Sequence, residues 1–80
     1  MENLKEMALD ILEEACETDE VREDLDLDLF EAGLIDSLAS VMVLLAIEER
    51  TGVKLQPTDI TREDITTVNN FIKFLEEKVN

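Results

Sequence analysis

The amino-acid sequence predicts an all-α fold: a small bundle of three main helices plus one short helix, with a long loop between helices 1 and 2. Residues 1–80 read as a single domain, since no internal repeat or composition change divides them. Three observations carry this. Apolar residues recur at helical spacing in separate segments. Those segments are bounded by residues that cap helices. The one alternating stretch, Leu25-Asp26-Leu27-Asp28-Leu29, has no second strand to pair with, and an isolated strand is not stable.

The first helix is predicted over residues 4–17, where Leu4, Met7, Ala8, Ile11, Leu12, Ala15 and Cys16 form one stripe. Asn3 is its cap, with Glu6 placed to complete a capping box. Cys16 continues the stripe and reads as packing rather than as a reactive thiol. Residues 18–35 have no helical period and read as a loop pinned to the core by Val21, Leu25, Leu27, Phe30 and Leu34. A loop of that length in so small a domain is usually functional.

The second helix starts after Asp36 and ends near Thr51, with Gly52 as its left-handed C-terminal cap. Residues 41–47 are entirely apolar, more than the single stripe a surface helix needs. This helix is therefore central, or it turns a second apolar face to a partner. Residues 54–66 form a linker with one or two helical turns, started by Pro57 and by the Thr61–Asp64 pair. The last helix, residues 67–78, puts Val68, Phe71, Ile72, Leu75 and Val79 on one stripe.

A net charge of −14 over eighty residues argues against nucleic acid and anionic membrane as partners, because phosphate neutralisation needs clustered Lys and Arg. It suits a protein partner with a basic patch, although solubility alone explains the acidity equally well. Histidine is absent, which removes the commonest metal ligand and general base together. The single Cys16 excludes an internal disulfide and fits a reducing compartment. With no signal-peptide pattern and no apolar run long enough for a membrane span, a cytoplasmic location without membrane insertion is expected.

Asp24, Asp26 and Asp28 repeat the opening spacing of a calcium-binding EF-hand loop. That loop also needs Gly at position six and Glu at position twelve, where this chain has Leu29 and Ile35. No specific metal site is expected. A nucleophilic serine at Ser37 would need a base, ordinarily histidine, so hydrolase chemistry is rejected and no catalytic residue is assigned. The chain is not expected to be an enzyme. What Ser37 does have is its place at the first position of a helix, capped by Asp36. There the free N–H groups and the helix dipole favour an anion attached to its oxygen. Position alone decides nothing, since serine is common at helix starts.

The flanking residues decide it. Leu29-Phe30-Glu31-Ala32-Gly33-Leu34-Ile35-Asp36-Ser37-Leu38, set before an apolar helix, resembles the prosthetic-group attachment site of acyl carrier proteins. The likeness extends over nearly the whole chain, including the acidic balance, the helix order and the Ile65-Thr66-Thr67-Val68 lead into the last helix. The resemblance implies that a phosphopantetheinyl transferase moves 4′-phosphopantetheine from coenzyme A onto Ser37, next to Asp36. The cofactor's terminal thiol then carries an acyl or aminoacyl group as a thioester. Docking on successive enzymes must be brief, so steering charge and a small apolar contact should supply it. Glu31, Glu48 and Glu49 are the candidate charges. Leu38, Met42 and Leu45, at i, i+4 and i+7, are the candidate apolar face, leaving Val43, Leu44 and Ile47 for the core.

The sequence departs from the fatty-acid type. Ala39 and Met42 stand where acidic residues are common in that group, and two residues rather than one separate Gly33 from Asp36. These features are more similar to D-alanyl and other aminoacyl carrier proteins. The resemblance then implies an ATP-dependent adenylating ligase, an acceptor enzyme and a monomeric carrier, with D-alanine ahead of a fatty or secondary-metabolite acyl group as cargo. The alternative from another class is an acidic helical adaptor that binds a partner through Leu38, Met42 and Leu45 without a cofactor.

Overall fold

The computed structural model describes residues 3–79. The bundle is made of α1 (Leu4–Cys16), α2 (Ser37–Thr51) and α3 (Val68–Val79), with α1 packed against both of the others. Short 3₁₀ turns lie at Glu20–Arg22, Pro57–Asp59 and Glu63–Ile65. The linker before α3 therefore holds two 3₁₀ turns, and a third interrupts the long loop.

Local chemistry explains where the helices stop. Asn3 Oδ1 accepts the Lys5 N–H at 2.8 Å and starts α1. The reciprocal half of the expected capping box is replaced, because the Glu6 carboxylate faces Arg22 at 3.4 Å. Glu17 closes α1 at φ +56°, a left-handed position unusual for a residue with a Cβ. Gly52 closes α2 at φ +77°, its N–H donating to the Glu48 carbonyl at 2.8 Å. In the linker, Gln56 and Asp59 bond reciprocally around Pro57. The Thr61 N–H and hydroxyl both donate to Asp64, at 2.8 and 3.0 Å. The Thr67 hydroxyl accepts the Asn70 N–H at 3.1 Å and so caps α3, which begins one residue later than expected.

One core runs through all three helices. It is wider than the predicted stripes: Leu9 on α1 and Phe74 on α3 are buried as well, Phe74 lying nearly parallel to Phe71 with centroids 6.3 Å apart. The side chain of Val79, last on the predicted stripe, lies outside the described residues. Val43, Leu44 and Ile47 are buried as expected. The loop is pinned most firmly by Val21, Leu29 and Ile35, each essentially buried. Leu25, Leu27, Phe30 and Leu34, the other expected pins, are half-buried against that core.

Arginines clamp the outside of α1. Glu6, Asp10 and Glu13 line one face at i, i+4 and i+7. Arg22 reaches all of them, its Nε 2.7 Å from Glu13. Arg50 at the end of α2 meets Asp10 at 3.9 Å and Glu14 at 3.6 Å. The 3₁₀ turn that carries Arg22 also lowers Val21 into the core, so one turn makes both attachments.

Candidate functional site

The loop ahead of α2 is built to deliver one residue. The Asp28 carboxylate accepts the Phe30 and Glu31 N–H groups, each at 3.0 Å, and starts a turn closed by Ala32 N–H to the Asp28 carbonyl at 2.9 Å. Gly33, at φ +75°, reverses the chain. The Leu34 and Ile35 N–H groups then converge on the Leu29 carbonyl at 2.9 and 3.2 Å. Leu29 in turn donates to the Thr66 carbonyl at 2.7 Å, so the turn before Ser37 is bonded to the start of α3. Asp26 and Asn69 add a side-chain bond, and the Asn69 N–H donates to the Leu25 carbonyl at 3.2 Å.

The aspartates that share EF-hand spacing are used internally. Asp24 accepts the Asp26 N–H at 3.0 Å, Asp26 takes Asn69, and Asp28 caps its own turn.

Asp36 leaves this turn in extended conformation and caps α2, its carboxylate accepting the Ala39 N–H at 2.9 Å. The Ser40 hydroxyl donates to the Asp36 carbonyl at 3.2 Å. Ser37 is the first residue of α2 and is exposed. The N–H groups of Ser37 and Leu38 have no acceptor among the described residues. The seryl oxygen thus stands in the positive field of the helix end with donors still free. Cys16 lines a shallow pocket together with Asp36. Burial, and secondarily the Asp36 charge, push its thiol up to about 11.

A groove of about 350 Å³ opens at Ser37 and runs between α2 and the linker. Ser40, Val41 and Leu44 form one wall; Phe30, Pro57, Ile60 and Arg62 form the other. Of the predicted apolar face, Leu38 is 68% exposed and Leu45 55%. Met42 is half-buried and packs against the core instead. Val41, not singled out by the spacing, is 49% exposed, so the outward stripe is Leu38, Val41 and Leu45. Glu31, Glu48 and Glu49 are all exposed. Glu31 is in the turn before Gly33, and Glu48 and Glu49 are on the last turns of α2.

The phosphopantetheine attachment site family matches residues 3–75. The D-alanyl carrier proteins of Bacillus cereus (strain B4264) and Bacillus anthracis (strain CDC 684 / NRRL 3495) are each 47% identical over 77 residues, covering 96% of this chain and 98% of the relative. The chain belongs to the phosphopantetheine-binding carrier family. Within that family it stands with the D-alanyl type rather than the fatty-acid type. Its cofactor is 4′-phosphopantetheine, and it is a carrier, not an enzyme. Carriers of this kind work with phosphopantetheinyl transferases and with the ligases and acceptors that load and unload them. Among the described residues of this carrier, no helix is long and apolar enough to cross a membrane.

Proposed function

We propose that this carrier bears 4′-phosphopantetheine on Ser37 and shuttles a thioester-bound D-alanyl group from an ATP-dependent adenylating ligase to an acceptor enzyme. The observation that carries the reading is the setting of Ser37: an exposed hydroxyl at the first position of a capped helix, with unpaired N–H donors beside it and an exposed apolar stripe beginning at Leu38. These residues fit a phosphodiester. The seryl oxygen is open to a transferase, and the helix end favours the negative charge that attachment places there.

Each residue has a physical task. Asp36 holds the first turn in shape through Ala39, which fixes where the Ser37 oxygen stands. The chain has no histidine to take the hydroxyl proton, so the transferase supplies that base. The bound cofactor supplies the thiol that holds the cargo. Leu38, Val41 and Leu45 give each partner a small apolar contact, and Glu31, Glu48 and Glu49 steer its basic surface into place. Met42 supports this face from beneath. D-alanine is favoured as cargo by the 47% identity to D-alanyl carrier proteins. The reading takes residues 1–80 as one monomeric carrier domain, working in the cytoplasm, where coenzyme A and ATP are available.

Intact mass after incubation with coenzyme A and a broad-specificity transferase tests the attachment. A phosphopantetheine adduct that disappears in Ser37→Ala is expected; an unmodified wild-type chain would leave only a cofactor-free adaptor. ATP–pyrophosphate exchange with the loading ligase, compared across amino and fatty acids, tests the cargo. Exchange with D-alanine is expected, and exchange with fatty acids alone would overturn that part.

A further inference from the structure

We propose that Arg62 is the chain's own receptor for the phosphodiester of the attached arm, holding the arm against the groove between α2 and the linker until a partner takes it. The proposal rests on Ser37 as the attachment point and adds to it a residue to which no role has been given.

The chain has 21 acidic residues against 7 basic ones, so an arginine that makes no ion pair needs a reason. Arg22 and Arg50 are both engaged with carboxylates of α1. Arg62 makes no ion pair among the described residues; its guanidinium lies over the Phe30 ring, 4.3 Å from the centroid. The nearby Asp64 carboxylate is occupied by the N–H and hydroxyl of Thr61. Stacking uses the face of a guanidinium and leaves the N–H groups at its edge free for in-plane acceptors. A phosphate is such an acceptor.

The backbone under Arg62 is fixed. Its carbonyl accepts the Thr66 hydroxyl at 2.7 Å and the Ile65 N–H at 3.2 Å. Phe30 is held in turn by the Asp28 cap, so both members of the stack are positioned by the linker and the loop that deliver Ser37. Arg62 and Ser37 line the same groove, where Val41, Leu44, Pro57 and Ile60 supply apolar wall and Ser40 and Thr61 the other polar groups. A phosphate bonded to the Ser37 oxygen would be held by the free N–H groups at the start of α2 and by the guanidinium across the groove. The methylene and amide part of the arm then has an apolar wall to lie on. Because Arg62 is exposed, the hold is weak and screened by salt, as a carrier that must release its arm requires.

The test uses the full chain labelled with ¹⁵N, before and after transfer from coenzyme A, with intact mass establishing how much is modified. On modification the Arg62 Nε–Hε resonance is expected to shift, while those of Arg22 and Arg50 stay in place. The ³¹P resonance of the holo-protein is expected to move toward that of the same phosphodiester in urea-unfolded holo-protein in Arg62→Gln, and to move less far in Arg62→Lys. A fully modified chain in which the Arg62 resonance moves no more than those of Arg22 and Arg50 overturns the proposal and leaves the attachment reading intact. A ³¹P signal unchanged in Arg62→Gln does the same. A chain that mass shows to be unmodified at Ser37 overturns both.

Discussion

The carboxylate of Asp36 accepts the N–H of Ala39 at 2.9 Å, so the helix that carries Ser37 is started by the residue immediately before it. The same carboxylate helps to hold the Cys16 thiol protonated. Asp36→Ala is expected to lower unfolding stability by about 1 kcal/mol through loss of the cap. Asp36→Asn is expected to keep the cap and lose the charge. Urea unfolding separates the two. Titration of Cys16 should show its pKa falling in both variants, because each removes the charge that raises it.

Gly33 sits at φ +75°, and a Cβ built there meets nothing within 4 Å. Any cost of substitution therefore comes from the backbone alone. Gly33→Ala is expected to lose about 1–2 kcal/mol, and Gly33→Asn less, since asparagine tolerates the left-handed region. Equal losses in urea unfolding would show that the turn is held by something other than its dihedral.

The Cys16 thiol, raised to about 11, has a defined pH signature. Folding favours its protonated form, so its contribution to stability is complete below the ordinary thiol pKa and is lost as pH rises from about 9 toward 11. The unfolding midpoint of wild type should fall across that interval by more than that of Cys16→Ala. Since only thiolates alkylate, iodoacetamide at about pH 8 should leave Cys16 of the apo-protein largely unmodified.

Val41 and Met42 are neighbours with opposite surroundings. Val41 is 49% exposed, whereas Met42 packs partly against the core. Val41→Glu is expected to change stability by no more than about 0.5 kcal/mol while reducing ligase loading about tenfold, as loss of a contact worth about 1.4 kcal/mol would. Met42→Glu should reduce loading and also destabilise the fold by about 1–3 kcal/mol, because it pushes a charge toward apolar neighbours. Urea unfolding together with a mass-detected loading assay distinguishes the two positions.

These contrasts show which parts of the molecule are legible in its sequence. Caps are local chemistry, so Asp36, Gly52 and the Thr61–Asp64 pair can be placed by inspection. The Asn3–Glu6 box looked equally local, but Arg22 lies sixteen residues away in sequence and takes the Glu6 carboxylate. Leu9 and Phe74 fall outside a single stripe. Their burial depends on α1 meeting two helices at once, which no one helix encodes. In the loop, Leu29 and Ile35 are distinguished from Leu27 and Phe30 by backbone bonds to Thr66 and to Leu29 itself, and loop residues have no period that forecasts such bonds. The apolar run of α2 conceals its own orientation: with apolar residues on every side, only the packed structure shows Val41 facing outward and Met42 turned in.

The arginine clamps on α1 have a consequence for encounters with other proteins. Glu6, Asp10, Glu13 and Glu14 each lie against a guanidinium, which quiets the field along that helix. Glu31 in the loop and Glu48 and Glu49 in the last turns of α2 form no ion pair among the described residues. The molecule is electrostatically lopsided. A basic enzyme feels a torque as well as a pull, and it is turned away from the clamped face of α1 before the surfaces touch.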